Sequence, residues 1–329
     1  MSVVAVSSAV RRGRISSLSA EWGVWIALAA LVLFNVVATP RFLTLQSLQT
    51  NLTQMTAIAI LAIGMTLIVA TGGIDLSVGS LMALGGAAAG VLMVEVPELT
   101  SIPGIGLLSV LLVAILVAGA FGFVNGVLVG WLGIQPIIAT LVLLIAGRGV
   151  AQLVTSGRLF AVESAPVIAL GRGQFLGLSN QTWIMFVVII LAAIILRTTV
   201  FARYVVAVGG NEKAAAGAGV PVRKVKFAVY TIMGCLAGLA AVLSIGINGA
   251  VDTANLGLGW EFTVISAVVV GGTALTGGRP KLAGTIGGVA LLQLLAFSLA
   301  SHNIPKEVAM LIQAAVIIAA VIVQLRKNR

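Results

Sequence analysis

Asp75 and Ser77 stand two residues apart in the stretch Ala70-Thr71-Gly72-Gly73-Ile74-Asp75-Leu76-Ser77-Val78-Gly79-Ser80, which interrupts two long apolar runs. Gly72 and Gly73 let the backbone leave helical geometry. A carboxylate and a hydroxyl placed just beyond them can satisfy the free amides that open the next helix. The same groups can instead meet a polar solute, because a broken helix with a carboxylate is tolerated inside a membrane protein where it lines a path. Both readings stand side by side. Asn125 offers a second polar group, set beside Ala118, Gly122, Gly126 and Gly130 at four-residue spacing. Such a bare row is first a close-packing face, on which Asn125 either bonds to a neighbouring helix or lines a polar path. Thr140 comes after Gln135-Pro136 in the next run, which continues to Gly147-Arg148-Gly149. The candidate path residues are therefore Gly72, Gly73, Asp75, Ser77, Asn125 and Thr140. An arginine inside an apolar run snorkels, pairs with a carboxylate or faces the interior, and Glu261 is the candidate partner for Arg148.

A further segment suits contact with another protein. Between Arg203 and Lys226 lies Gly209-Gly210-Asn211-Glu212-Lys213-Ala214-Ala215-Ala216-Gly217-Ala218-Gly219. Glu212 to Ala216 favours a short helix, Gly217 and Gly219 can end it, and Pro221 stops it. This is either a docking element or a solvated loop held near anionic lipid heads. Catalytic chemistry finds no support. There is one cysteine, Cys235, and one histidine, His302, so neither an intrachain disulfide nor a zinc site of the usual kind is expected. The chain also lacks a phosphate-binding loop, H-E-x-x-H and G-x-S-x-G.

Composition sets the scaffold that holds these residues. The 329 residues are 60% hydrophobic and 9% charged, with a mean hydropathy of +1.18, whereas soluble chains carry about 25% charged residues. Lipid is the expected solvent. Apolar runs near 23–38, 52–71, 76–94, 105–130, 135–155, 182–197, 227–247, 260–276, 283–300 and 306–325 predict an all-α polytopic membrane protein of about ten transmembrane helices. With the N-terminus inside, fourteen cations fall on the cytoplasmic side and four outside, so the positive-inside rule puts both termini in the cytoplasm. The net charge of +10 is then an orientation signal and not a nucleic-acid patch. Residues 1–20 read as a cytoplasmic tail with no cleaved signal peptide, and 21–329 as one transmembrane domain with a cytoplasmic loop at about 198–226. Gly-Gly breaks at Gly72-Gly73 and Gly271-Gly272 hint at an internal repeat without establishing one.

On these residues the chain resembles the permease subunits of bacterial ABC importers for monosaccharides, the ribose, xylose and galactofuranose group. The likeness rests on Gly64-Met65-Thr66 leading into Gly72–Ser80, on Gln135–Arg148, on Gly209–Val220, and on Glu261 through Gly271-Gly272-Thr273 to Gly277-Gly278. It is nearest to the galactofuranose-type permease, chiefly over Leu61–Ser80 and Ile134–Thr155. Gly278-Arg279-Pro280 departs from the pattern, since many members carry a glycine there. The resemblance implies the ABC importer permease fold in a bacterial inner membrane. It also implies a second permease subunit, identical or a paralogue, an ABC ATPase subunit carrying the ATP and magnesium, and a periplasmic or lipid-anchored sugar-binding protein. No cofactor is implied in this chain. Carried over, Gly209, Gly210, Asn211, Glu212, Ala214, Ala215 and Gly219 belong to the ATPase-coupling loop. The competing readings are an ion-coupled secondary transporter of a small polar solute and an intramembrane enzyme. The first would use Asp75, Arg148 or Glu261; the second lacks a catalytic constellation.

Overall fold

The computed structural model describes residues 23–327. The expected tail at 1–20, and with it the question of a leader, lies outside them. The described chain is helical, running α1 (Gly23–Ala38), α2 (Leu45–Ala70), α3 (Val78–Glu95), α4 (Pro97–Thr100), α5 (Ile105–Gly130), α6 (Pro136–Val154), α7 (Ala165–Arg172), α8 (Asn180–Thr198), α9 (Val200–Gly210), α10 (Glu212–Gly217), α11 (Val222–Asn248), α12 (Trp260–Val270), α13 (Leu282–Ser301) and α14 (Lys306–Lys327). Four two-residue strands form two small ribbons: Phe160–Ala161 pairs with Ala250–Val251, and Gln174–Phe175 with Leu178–Ser179.

Each apolar run marked in the sequence is a helix. Seven of them, α2, α3, α5, α6, α8, α11 and α13, are long and apolar enough to cross a membrane. α1, α9, α12 and the Glu307–Ile318 part of α14 are shorter apolar helices. Several boundaries differ from expectation: α2 starts at Leu45, seven residues ahead of the 52–71 run, and α11 at Val222, five ahead of the 227–247 run. The 260–276 run stops as a helix at Val270, because Gly271 and Gly272 end it. The expected loop at 198–226 is mostly helix, since α9, α10 and the start of α11 fill it.

Apolarity alone does not sort these helices, because every one faces an apolar medium on some side. Small residues do. α11 lies antiparallel against α5 with almost no side chains between them. A Cβ at Gly126 would stand 2.7 Å from the Phe227 carbonyl oxygen, one at Gly130 2.7 Å from that of Arg223, and one at Gly122 2.9 Å from Gly234 Cα. The Ala118–Gly130 row is thus a helix-packing face, the arrangement small residues permit where lipid supplies no hydrophobic drive. α2, α3 and α11 form the interior, with 78%, 72% and 67% of their most apolar windows buried, against 28% for α5 and 17% for α8. The outer faces of α5, α6 and α8 carry exposed Leu116, Ile145 and Ile190, as a lipid boundary requires.

Candidate functional site

α2 ends in a Schellman-type turn. The Gly73 amide donates to the Ile68 carbonyl at 3.1 Å and the Gly72 amide to Val69 at 2.9 Å. Gly72 takes φ +79°, a left-handed conformation that glycine adopts without strain. The chain then turns inward. Asp75 Oδ1 accepts the Ser77 amide at 2.7 Å and the Ser77 hydroxyl at 2.5 Å. Ser77 Oγ in turn accepts from Asn125 Nδ2 at 2.8 Å. Ser80 Oγ donates to the Ser77 carbonyl at 2.8 Å, with the Leu143 carbonyl at 3.0 Å. Three helices, α3, α5 and α6, are thereby tied to one turn. The expectation that the Ser77 side chain caps α3 fails: it makes no such bond, because its hydroxyl is engaged with Asp75. Capping is done from two residues upstream.

Asp75, Ser77, Asn125 and Thr140 are all fully buried. The first three form the relay just described. Thr140 is separate: its hydroxyl bonds back to the Pro136 carbonyl of its own helix at 2.9 Å. Asp75 Oδ2 and Asn125 Oδ1 are buried acceptors with no partner among the described residues. Asp75 lies in the connection between α2 and α3, and burial pushes its carboxyl up to about 6 against the pull of the Ser77 hydroxyl and amide.

Arg148 does not pair with Glu261. Its Nη1 donates instead to three carbonyls, those of Thr253 and Ala254 at 3.0 Å and of Leu256 at 3.2 Å. The segment holding these carbonyls is one that sequence reasoning misses. After α11 the chain passes through the short strand Ala250–Val251 and then a series of turns over 253–259, packed alongside α3. Val251 packs at Gly90 and Leu256 at Gly86, and Gly257 lies against Gly79. Irregular backbone of this kind is tolerated among membrane helices only when protein buries it, and the arginine supplies donors that its carbonyls lack. Outside the spans, Asp252 accepts from the Asn255 side chain at 2.7 Å, and that bond is the main cause holding its carboxyl below the usual range. The 250–259 stretch carries α12 into the bundle partway along its depth. With 11 residues, α12 is roughly 16 Å long, about half of a bilayer core. Glu261, in its first turn, is buried and aims Oε2 toward Gly79. On the opposite side of α12, Phe262, Thr263 and Ser266 line a cavity of about 390 Å³ shared with Gln293 of α13 and Gln313 of α14. Gln293 donates to Gln54 of α2 at 2.7 Å.

The expected docking segment is a distinct helix. Asn211 Oδ1 accepts the Ala214 amide at 3.0 Å and so caps α10. Glu212 pairs with Lys226 of α11 at 2.7 Å. Gly219 at φ +83° turns the chain toward Pro221 and α11. Within α10 only Ala215 faces inward; Glu212, Lys213, Ala214, Ala216 and Gly217 are exposed. Beside it a polar recess of about 540 Å³ is lined by Gln135, Glu212, Arg223 and Lys226.

Comparison with known proteins agrees with this architecture. Residues 47–321 match the family model described as branched-chain amino acid transport system / permease component. The chain is 38% identical over 309 residues to a ribose import permease protein of Escherichia coli K12, covering 92% of this chain and 93% of that one. It is 39% identical over 268 residues to a galactofuranose transporter permease protein of the same strain, covering 81% and 76%. It is 33% identical over 325 residues to an L-arabinose ABC transporter permease protein of Azospirillum brasilense, covering 96% and 93%. No solved structure matches. A helical bundle of apolar spans, matched by the family model from α2 into α14, belongs to the family of branched-chain amino acid transport system / permease components.

Proposed function

We propose that this chain is a permease subunit of an ATP-driven importer that moves a monosaccharide across a bacterial plasma membrane. The observation that carries the reading is its likeness, along nearly the whole chain, to permeases named for ribose, galactofuranose and L-arabinose. The chain supplies the path and not the chemistry. ATP and magnesium belong to a separate ATPase, and a periplasmic or lipid-anchored binding protein delivers the sugar. Ten spans with both termini inside fit the ten apolar runs of the sequence and the bias of cations toward the side that carries α10.

The exposed α10, with Gly209, Gly210, Asn211, Glu212, Ala214, Ala215 and Gly219, is the contact for the ATPase. A short capped helix transmits a push from nucleotide-driven closure better than a loop does. The buried relay of Asp75, Ser77 and Asn125, reached through Gly72 and Gly73 and with Thr140 on the neighbouring α6, holds the inner wall of the path. A second permease subunit covers the face of α2, α12, α13 and α14, where the Gln54, Gln293 and Gln313 amides would sit poorly against lipid. The test is co-purification. A tagged chain should carry the ATPase out of detergent-solubilised membranes. Deleting Ala214–Ala216 should abolish that capture and sugar uptake while the chain still inserts. Full capture and full uptake by the deletion would refute the docking role.

A further inference from the structure

The end of α9, one residue before α10, meets the bundle through the buried Val208 side chain and, at Gly209, through a close contact of backbone on backbone. The Gly278 amide donates to the carbonyl of Ala70, the last residue of α2, at 2.9 Å. Gly209 sits against this bond from the third side. A Cβ there would overlap the Ala70 carbonyl oxygen and stand 2.5 Å from the Gly278 nitrogen. The contact is closed from the remaining directions as well. A Cβ at Gly277 would lie 2.8 Å from the Gly209 carbonyl oxygen and 3.0 Å from the Gly72 nitrogen, and one at Gly278 3.3 Å from Gly210 Cα. Three segments far apart in sequence thus touch main chain to main chain: the end of α2, the end of α9 and the turn between α12 and α13.

Side chains that meet at an interface absorb a displacement by changing rotamer, whereas close-packed backbone has no such freedom and passes strain on. The neighbours of the junction give this weight. On the α9 side, Asn211 both succeeds Gly210 and caps α10. On the α2 side, Thr71 to Ser77 lead within a few residues to Asp75 and Asn125. On the α12 side, the Lys281 amide donates to Thr273 Oγ1 at 3.1 Å, closing the turn from which α13 starts. α10 is also held by the buried Ala215 methyl and by the Glu212–Lys226 pair, whose glutamate is half exposed and which solvent weakens.

We propose that the Ala70–Gly209–Gly278 junction is the rigid joint through which α10 drives the bundle, so that the ends of α2, α9 and the α12–α13 turn travel as one piece during transport. This makes Gly209 a positioning residue for transport. The inference rests on the reading of α10 as the ATPase contact, and its test is built so that the two fail differently.

The experiment uses the complete importer in proteoliposomes. The probe is whichever of radiolabelled D-ribose, D-xylose, D-galactose, L-arabinose and D-fructose the unaltered importer accumulates with ATP. Gly209→Ala should cut uptake at least tenfold while the complex still assembles and hydrolyses ATP. Gly149→Ala, in open space on α6, should leave uptake within about twofold. Undiminished uptake by Gly209→Ala, or its failure to assemble with the ATPase, would overturn the proposal. Should the unaltered importer accumulate no sugar with ATP, the functional reading itself fails and the joint falls with it.

Discussion

α2 and α12 end on the same backbone device. Gly72 and Gly73 donate to Val69 and Ile68 at 2.9 and 3.1 Å, and Gly272 and Thr273 donate to Val269 and Val268 at 2.8 and 3.1 Å. Both central glycines take a left-handed φ, +79° and +86°. The chain beyond each stop takes a different course. After Gly73 it dives inward, and Asp75 and Ser77 are fully buried. After Thr273 it surfaces, with Leu275, Thr276 and Arg279 at least partly exposed. The helix stop therefore does not decide the role of a break. The side chains placed after it do: a carboxylate and a serine hydroxyl that bond to each other and to Asn125 turn one break into an internal anchor. A run of Ala, Leu, Thr and Arg leaves the other as a surface turn, touching the anchor through Gly277 and Gly278.

The contrast is sharpest at Asp75. At about pH 5, where the buried carboxyl is protonated, Asp75→Ala removes the acceptor of two hydrogen bonds and should destabilise the purified chain by about 2–3 kcal/mol, taking each neutral bond at about 1–1.5 kcal/mol. Thermal unfolding in detergent checks this, and a shift no larger than that of a surface alanine would dissolve the distinction. The same carboxyl leaves a pH signature. Its native pKa, about 6, is raised from 3.8, so between these values the native chain keeps a proton that the unfolded chain has released. Stability then falls as pH rises through that window. Asp75→Asn should remove this slope in unfolding curves taken from about pH 4 to 7. Next in size, Asn125→Ala should cost about 1–2 kcal/mol, since it takes the donor from Ser77 Oγ but strands no charge. The surface break should give the smallest effect. Thr273→Ala removes only the acceptor of the Lys281 amide and should cost about 1 kcal/mol or less. Reversal of this order, with Thr273 outranking Asp75, would mean that the α12 break is the anchor.

Much of the fold is legible because lipid imposes length and apolarity on a span, so runs such as 105–130 reappear as α5 with the same ends. α10 is legible too, because Asn211, Glu212 and the alanines after them carry both cap and propensity. Two features are not. α12 reads on to residue 276 by hydropathy, since Ala274 and Leu275 prolong the run, although Gly271-Gly272 is the signal that stops it. The 250–259 stretch has no apolar period; only Gly249, Gly257 and the Asp252–Asn255 turn mark it as ordered chain. The partner of Arg148 escapes a sequence reading for a related reason. A carboxylate such as Glu261 is visible in a sequence as a candidate for a cation, whereas the three backbone carbonyls that hold the guanidinium belong to residues of no particular type.

The driving force for transport lies outside this chain. It can be located by measuring sugar accumulation in proteoliposomes that hold this chain with and without its ATPase and binding protein, in the presence of ionophores that collapse proton and sodium gradients. ATP-driven import predicts accumulation only with ATP, ATPase and loaded binding protein, unaffected by the ionophores. Accumulation by this chain alone, driven by an ion gradient and abolished by the ionophores, would contradict it.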